Sequence, residues 1–302
     1  MAKDIQRVGV ASAEPEGWET SRIVTEIQQR NTECIVFDVT ETVVRVGGKQ
    51  PRIQYKKEDL TNLHGVFTRA VPGGSLEQVI LRMDTLHCLE RLGIPFMNRP
   101  HAIEKAVDKY YTIRLLELAG IPVPRTTVTQ SARDALRAFR RYKDVVIKPL
   151  FGSGGVGMTR VSDHEIARRV FRTLEANRYV MYLQEYLEHE NRDIRVFVIG
   201  NKAIAAMIRV GDTWKSTLRQ GAKPQPCPIT RELANLAVKC AETIGLAYTG
   251  VDILETDKGL VVTEVNSSSG WQGLQQVTDI NIAKQLVDHF YNIIHSSSQG
   301  VN

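Results

Sequence analysis

The feature that most constrains this 302-residue chain is a predicted β-hairpin near its C-terminal end. Two apolar, β-type runs flank a turn at 257–259, and three side chains on them carry oxygen. If the turn is a three-residue loop with Gly259 in the left-handed conformation, the register places Asp252 directly opposite Glu264. Asn266 then lies two residues further along the same face of the strand.

Two carboxylates that face each other across a pair of strands repel, so this arrangement needs a cation. A set of oxygen ligands, two carboxylates and one amide, suits Mg²⁺ that carries nucleotide phosphates. The alternative is an ordinary hairpin whose acidic side chains are solvated. The hairpin therefore predicts a metal site with Asp252, Glu264 and Asn266 as its ligands.

A glycine-rich loop follows a predicted strand at 145–148 and matches G-x-G-x-x-G at Gly152, Gly154 and Gly157. In a dinucleotide-binding turn these glycines open a helix, whereas the residues that follow here have the pattern of a strand. A glycine hairpin with Lys148 on the incoming strand instead predicts a flap over ATP phosphates, which backbone N–H groups and the ammonium would bind. A purely structural glycine loop is the alternative.

The order of predicted elements indicates an α/β chain of several units. Strands and helices alternate over the first hundred residues, which predicts a parallel sheet. A single helix is predicted from about residue 103 to residue 118, and the next region has the pattern of a small α+β domain. The predicted domains are an N-terminal α/β domain, a small subdomain with the glycine flap and a C-terminal subdomain with the metal site, at residues 1–102, 103–185 and 186–302.

Composition narrows the functional classes. With 42% hydrophobic and 24% charged residues, the chain is typical of a globular protein of two or three subdomains. It has no apolar run long enough to span a bilayer and no signal-peptide core, so we expect a cytoplasmic protein without a membrane partner. The four cysteines form no metal motif. A net charge of +5 without a basic run favours small anionic substrates over nucleic acid.

Short motifs in a fixed order resemble the ATP-grasp superfamily and, within it, the RimK-like amino-acid ligases. The resemblance covers nearly the whole chain and implies an ATP-grasp fold, with an N-terminal parallel-sheet domain and two α+β subdomains that enclose ATP. The family's usual Asn-Ala-Ser-Pro-Gly is here Asn-Ser-Ser-Ser-Gly at 266–270. The motifs that carry the resemblance are Ala106-Val107-Asp108-Lys109-Tyr110, Val146-Ile147-Lys148, the glycine loop, Gln184-Glu185-Tyr186, Asp193-Ile194-Arg195, and the segments 214–221, 250–254 and 264–266.

The resemblance also implies roles for individual residues. ATP and two ions of Mg²⁺ or Mn²⁺ are the implied cofactors, with adenine bound through backbone groups of Glu185 and Tyr186 and the ribose near Asp193. Arg195, Arg209 and Arg219 are candidates for holding the phosphoryl group and the substrate carboxylate, with a solvated charge as the alternative for the first two. The residues similar to nucleotide-binding positions of the family are Lys109, Lys148, Gly152, Ser153, Gly154, Gly155, Gln184, Glu185, Tyr186, Asp193, Lys215, Ser216 and Thr217.

The implied reaction is an ATP-dependent carboxylate–amine ligation. A substrate carboxylate attacks the γ-phosphate to form an acylphosphate, and an amine then displaces phosphate to give an amide. Residues 264–275 resemble the branch that adds L-glutamate to a tetrahydromethanopterin-type cofactor. Trp271 is expected near the acceptor, with packing in the core as the alternative. A ribosomal protein C terminus, a deazaflavin coenzyme and an amino-group carrier protein are alternative acceptors. A phosphotransferase, a nicotinamide oxidoreductase and a non-catalytic ATP sensor are alternative functions, and a homo-oligomer is left open.

Overall fold

The computed structural model describes residues 5–48, 52–152 and 154–299, so Ser153 of the glycine loop lies outside the described residues. No helix among the described residues is both long and apolar enough to cross a membrane. The helices are α1 (Trp18–Gln28), α2 (Leu76–Arg91), α3 (Pro100–Val107), α4 (Lys109–Leu118), α5 (Ala132–Tyr142), α6 (His164–Ala176), α7 (Arg231–Ile244), α8 (Gln272–Gln275) and α9 (Ile282–Gln299).

Four sheets are present in the described parts of the chain. Their strands are β1 (Arg7–Ala11), β2 (Glu33–Phe37), β3 (Thr42–Arg45), β4 (Arg52–Tyr55), β5 (Glu58–Asp59), β6 (Val66–Thr68), β7 (Phe96–Met97), β8 (Thr126–Thr129), β9 (Val145–Lys148), β10 (Thr159–Val161), β11 (Met181–Glu185), β12 (Arg192–Ile199), β13 (Lys202–Val210), β14 (Lys223–Pro226), β15 (Tyr248–Thr256) and β16 (Gly259–Val265).

The N-terminal sheet has the order β2-β1-β6-β7, and all of its strands are parallel. This confirms the parallel sheet predicted from the alternation of strands and helices. Parallel neighbours need a crossover connection, which α1 provides between β1 and β2 and α2 provides between β6 and β7. A small antiparallel sheet, β3-β4-β5, is inserted between β2 and β6 and was not predicted, because strands of two to four residues leave little periodicity.

The second sheet has the order β10-β9-β11-β8 and is antiparallel. The glycine loop joins β9 to β10, and the next helix, α6, begins only at His164. The loop therefore does not open a helix, which confirms that the G-x-G-x-x-G match is not a dinucleotide-binding turn. Helices α5 and α6 cover one face of this sheet, with Phe139 and Phe171 in a shared core.

The third sheet has the order β14-β13-β12-β15-β16, so the predicted metal hairpin, β15–β16, lies at its edge. Helix α7 packs on this sheet through Leu233, Ala237 and Ile244, which are buried. On the sheet's other side, a second core joins it to the N-terminal domain: Phe290 of α9 packs edge-on against Phe67 of β6, with ring centroids 5.6 Å apart. Helix α9 therefore shares a core with the first hundred residues. The predicted domain boundaries stay a prediction.

The single helix predicted from residue 103 to residue 118 is wrong, because the chain forms two helices that meet at Asp108. Asp108 has an extended backbone, and its carboxylate accepts a hydrogen bond from the Tyr111 N–H at 3.0 Å. An aspartate in this position caps a helix N-terminus and so favours a new start. The break makes Lys109 the first residue of α4 and turns it toward the glycine loop.

Candidate active site

One cavity of about 780 Å³ brings the predicted site together. It lies between the second and third sheets, and residues of the N-terminal domain close one end. All predicted site residues that the structure describes line it, although their individual roles stay predictions: Lys109, Lys148, Gly152, Gly154, Gly155, Gln184, Glu185, Tyr186, Asp193, Arg195, Arg209, Lys215, Ser216, Thr217, Arg219, Asp252, Glu264 and Asn266.

The metal hairpin has the predicted facing pair but a different turn. Thr256 pairs with Gly259, so the loop contains two residues and not three. Thr263 is an extra, unpaired residue on β16, and this bulge shifts the register by one. As a result Asp252 lies opposite Glu264, which confirms the predicted pair, although the predicted three-residue loop is wrong.

The three oxygen-bearing side chains fit Mg²⁺. Asn266 donates its amide N–H to the Gly250 carbonyl at 2.9 Å, which leaves its oxygen as a ligand. Glu264 is partly exposed to the cavity, with Lys109 Nζ 3.7 Å from its carboxylate. No cluster of three His, Cys, Asp or Glu side chains suited to a metal occurs among the described residues, so the amide is needed as the third ligand.

Two arginines hold Asp252 from within the sheet. Arg195 binds both carboxylate oxygens at 2.6 and 2.7 Å, and Arg209 Nη2 lies 3.0 Å from one of them. Burial by itself would raise the pKa of Asp252, but Arg195 and Arg209 hold the pKa at about 2. Asp252 is therefore ionised throughout the neutral range, as a metal ligand must be.

The structure places Arg195 and Arg209 differently from what the sequence predicts. Both were expected to offer a free planar fork to phosphate or to a substrate carboxylate. Instead, the fork of Arg195 binds Asp252, and that of Arg209 binds Asp193 through two contacts of 2.6 Å. Only Arg219 of the three has an exposed side chain. The physical reason is burial, because an arginine inside a sheet needs a carboxylate partner.

Lys109 and Lys148 lie near Glu264 and form the basic part of the cavity. Lys109 also donates a short hydrogen bond to the Gly152 carbonyl of the glycine loop. Burial lowers the pKa of Lys148, the nearby Lys109 lowers it further, and Glu264 opposes the change. Two ammonium groups that repel each other are stabilised by an anion, so the phosphates of a nucleotide suit this position.

The glycine loop rests on the segment that follows β13. A Cβ added at Gly155 would lie 3.1 Å from Thr217 Cγ2, and one at Gly154 would lie 2.8 Å from Arg219 Cδ. Gly154 and Gly155 have positive φ angles, +66° and +73° respectively, which residues with side chains rarely adopt. The loop therefore approaches its neighbours closely, as a flap over phosphate requires.

The part of the cavity lined by residues 185–187 is suited to the adenine base, but the structure changes the residue expected to bind it. The N–H groups of Glu185 and Tyr186 already donate to the carbonyls of Arg125 and Asp144, at 2.9 and 3.0 Å. Among the described hydrogen bonds none uses the N–H of Leu187, which also lines the cavity. The backbone donor for adenine is therefore expected one residue beyond the predicted pair.

The expectation that Trp271 lies near the acceptor is wrong. Its side chain is 0% exposed and packs edge-on against Trp18 and Phe197, with Arg69 over its ring. A large aromatic side chain next to a tight glycine turn finds more apolar contact in the core than in the cavity. Trp18, by contrast, is among the residues that line the cavity.

Sequence reasoning missed the contribution of the N-terminal domain to the cavity wall. Glu14 lies in the connection from β1 to α1, and Trp18 and Glu19 are the first two residues of α1; all three line the cavity. The backbone N–H of Trp271 donates to Glu19 at 3.2 Å. The available signal was topological. In an open parallel sheet, ligands bind beyond the C-terminal ends of the strands where the strand order reverses, and β1 lies at that point here.

Comparisons with known proteins agree with this geometry. The model of the RimK-like ATP-grasp domain matches residues 106–290, and that of the RimK PreATP-grasp domain matches residues 7–103. A tetrahydromethanopterin:alpha-L-glutamate ligase from Methanococcus maripaludis is 32% identical, over 95% of this chain and 98% of the relative. A probable alpha-L-glutamate ligase from Maridesulfovibrio salexigens is 32% identical, over 94% of each chain.

Among solved structures, the ATP-grasp ligase PsnB complexed with minimal precursor has a TM-score of 0.76 at 24% identity, and the match covers 96% of this chain and 99% of that chain. This likeness shows the fold, an α/β ATP-grasp fold with an N-terminal parallel sheet. The family models and the curated relatives show more, since they match almost the whole chain. The chain therefore belongs to the RimK-like ATP-grasp family and is an ATP-dependent ligase.

Proposed function

We propose that this ligase joins L-glutamate to a terminal carboxylate of a tetrahydromethanopterin-type cofactor. The observation that carries the proposal is likeness along 95% of the chain to a relative whose name states that activity. A cavity that brings together the candidate phosphate-binding and metal-binding side chains supports it. The partners are a small anionic acceptor and L-glutamate, and neither nucleic acid nor a membrane has a role.

In this proposal ATP lies along the cavity with its base near Leu187 and its phosphates near Lys148 and Lys109. Asp252, Glu264 and Asn266 hold Mg²⁺, with Mn²⁺ as a substitute because it prefers the same oxygen ligands. Glu264 lies opposite Asp252 and two residues before Asn266, so it would share the metal with both of them. When bound, the metal neutralises phosphate charge and holds the phosphates in line for transfer.

The reaction then proceeds in two displacements. An oxygen of the acceptor carboxylate attacks the γ-phosphorus, the bond to ADP breaks, and an acylphosphate forms. The amine nitrogen of glutamate attacks the acyl carbon, phosphate leaves with the oxygen that came from the carboxylate, and the nitrogen loses a proton. The protein positions the reactants and supplies positive charge, from Lys148 and Lys109 at the phosphates and from Arg219 at the transferred phosphoryl group. The flap excludes water, which would otherwise hydrolyse the acylphosphate.

The acceptor binds at the end of the cavity farthest from the base. That end is formed by Glu14, Trp18 and Glu19 of the N-terminal domain, with Gln272 and Gln276 from the segment after the metal hairpin. Its polar side chains suit a substrate rich in oxygen and nitrogen.

Mass spectrometry of reaction products tests the proposal. The enzyme is incubated with ATP, Mg²⁺, L-glutamate and a panel of acceptors: a pterin cofactor, a deazaflavin coenzyme, an amino-group carrier protein and a ribosomal protein C-terminal peptide. We expect one or more glutamyl residues on the pterin cofactor, formed only when every component is present. Glutamylation of another acceptor with every pterin ignored contradicts the acceptor assignment, and a phosphorylated acceptor as the final product contradicts the ligase.

A further inference from the structure

Asp193 lies where two parts of the active site meet. Arg209 binds both of its carboxylate oxygens at 2.6 Å, and the Ser216 hydroxyl donates to one of them, also at 2.6 Å. The same Arg209 contacts Asp252, the proposed metal ligand, at 3.0 Å. A continuous chain of contacts therefore runs from Asp252 through Arg209 and Asp193 to Ser216.

This chain of contacts is buried and its charges alternate in sign. The side chains of Arg209, Asp193 and Asp252 are each 10% exposed or less. Charged groups in such a place are held in one geometry, because a break leaves an unpaired charge away from water. The Asp193 carboxylate accepts three hydrogen bonds, two from Arg209 and one from Ser216. Both of its oxygens therefore already have partners in the protein, without a ribose.

The Ser216 end of the chain of contacts reaches the glycine flap. Ser216 is followed by Thr217, whose methyl group lies where a Cβ at Gly155 would almost touch it. Two residues later, Arg219 Cδ would lie 2.8 Å from a Cβ added at Gly154. The flap thus rests on a segment whose only described side-chain bond to the sheet is the one from Ser216 to Asp193.

We infer that Asp193 is a positioning residue, which transmits the placement of Asp252 through Arg209 and Ser216 to the segment that supports the flap. The inference rests on the proposed role of Asp252 as a metal ligand. Binding of a metal–nucleotide complex at the hairpin then favours the closed flap, because one rigid network holds both. Removal of the Ser216 hydroxyl separates the two events without removing any metal ligand.

Proteolysis provides a readout of the flap that does not depend on turnover. Phe151 lies in the flap, is 63% exposed and is a site for chymotrypsin. Cleavage after Phe151 is followed by mass spectrometry, with saturating non-hydrolysable ATP analogue in the presence and absence of Mg²⁺, and saturation is verified by calorimetry. In the wild type we expect Mg²⁺ to slow this cleavage strongly.

In Ser216→Ala the slowing by Mg²⁺ should shrink by about tenfold, the lower end for loss of a hydrogen bond to a charged group. Calorimetry on each variant sets the concentrations of analogue and Mg²⁺ at saturation, so that cleavage is compared between fully loaded proteins. Ser216→Thr keeps the hydroxyl and should restore protection. Thr213→Ala is the matched control, because it removes a hydroxyl from the same segment, and the one hydrogen bond of that hydroxyl among the described residues is accepted from the Lys215 N–H.

Full protection in Ser216→Ala, or equal loss in Thr213→Ala, overturns the inference while the proposed nucleotide site stands. Absence of analogue binding in the wild type overturns the nucleotide site and the inference together. Loss of Mg²⁺ binding in Ser216→Ala also contradicts the inference, because the hydroxyl would then act on the metal and not on the flap.

Discussion

At the scale of single residues, the site depends on carboxylates in contrasting surroundings. Asp252 is buried between Arg195 and Arg209, which hold its position and its charge. Glu264, directly opposite, is partly exposed, and Lys109 Nζ lies 3.7 Å from its carboxylate. The buried carboxylate is therefore fixed by the fold, whereas the exposed one is free to adjust to a ligand.

Replacement of Glu264 by Gln tests the metal site. The substitution removes one of two facing like charges and should leave the melting temperature nearly unchanged. It also removes the negative charge of a proposed metal ligand, so Mg²⁺-dependent ADP release should fall by roughly a hundredfold or more. Glu255→Gln, an exposed carboxylate on the same hairpin, is the control and should keep its turnover. Near-normal ADP release from Glu264→Gln contradicts the assignment.

Replacement of Arg209 by Met tests the buried ion pairs. It leaves Asp193 without its bidentate partner and Asp252 with one arginine fewer, which should cost about 3–5 kcal/mol in the free energy of unfolding. Lys202→Met, on the same strand but exposed, should change that free energy by about 0.5 kcal/mol or less. Urea unfolding measures both. Equal stability of the two variants indicates that the buried network does not hold the sheet together.

At the scale of elements, the hairpin and the flap differ in how far the sequence predicts them. The pairing of Asp252 with Glu264 is predictable from alternation along both strands, but the type of turn that produces this pairing is not. A two-residue turn with a bulge at Thr263 gives the same pairing as a three-residue turn without one, and local sequence does not separate the two. The flap is predictable because glycines bounded by strand patterns on both sides cannot open a helix.

Gly155→Val tests whether the flap acts on phosphate. A β-branched residue at φ +73° costs roughly 1–2 kcal/mol and would meet Thr217. Gly120→Val is the matched control, with a similar φ of +69° and open space around it. The two variants should lose similar melting temperature, and only Gly155→Val should lose turnover, by at least about tenfold. Similar turnover in both points to a structural loop.

At the scale of the whole molecule, the N-terminal domain is part of the site. It supplies Glu14, Trp18 and Glu19 to the cavity wall and shares a core with the third sheet. The Asn98 amide, at the end of β7, reinforces this connection, since it bonds the backbone at Ala247, Tyr248 and Ser267 at 2.7–3.0 Å.

These contacts were beyond sequence reasoning because they join residues about 150 positions apart. Motif spacing identifies the residues at the phosphate end, where each chemical role needs a particular side chain. It does not identify which of two tryptophans is buried. Trp271 fills the core and Trp18 reaches the cavity because of how α1 packs on the sheet, which no local pattern records.

Phe290→Ala tests the shared core. The ring is fully buried against Phe67 of the N-terminal sheet, so its loss should cost about 3–5 kcal/mol in the free energy of unfolding. Asn292→Ala, an exposed position on the same helix, should cost about 0.5 kcal/mol or less. Tryptophan fluorescence and circular dichroism should report one coincident transition. Separate transitions for the two probes indicate that the domains fold independently.

The fate of an isotopically labelled carboxylate oxygen tests the central claim, ligation through an acylphosphate, most directly. The acceptor is labelled in its carboxylate and incubated with ATP, Mg²⁺ and L-glutamate, and the released phosphate is examined by mass spectrometry. We predict one labelled oxygen in each phosphate, with phosphate, ADP and amide formed in equal amounts. Phosphate without label, or phosphate released without amide, would contradict the account.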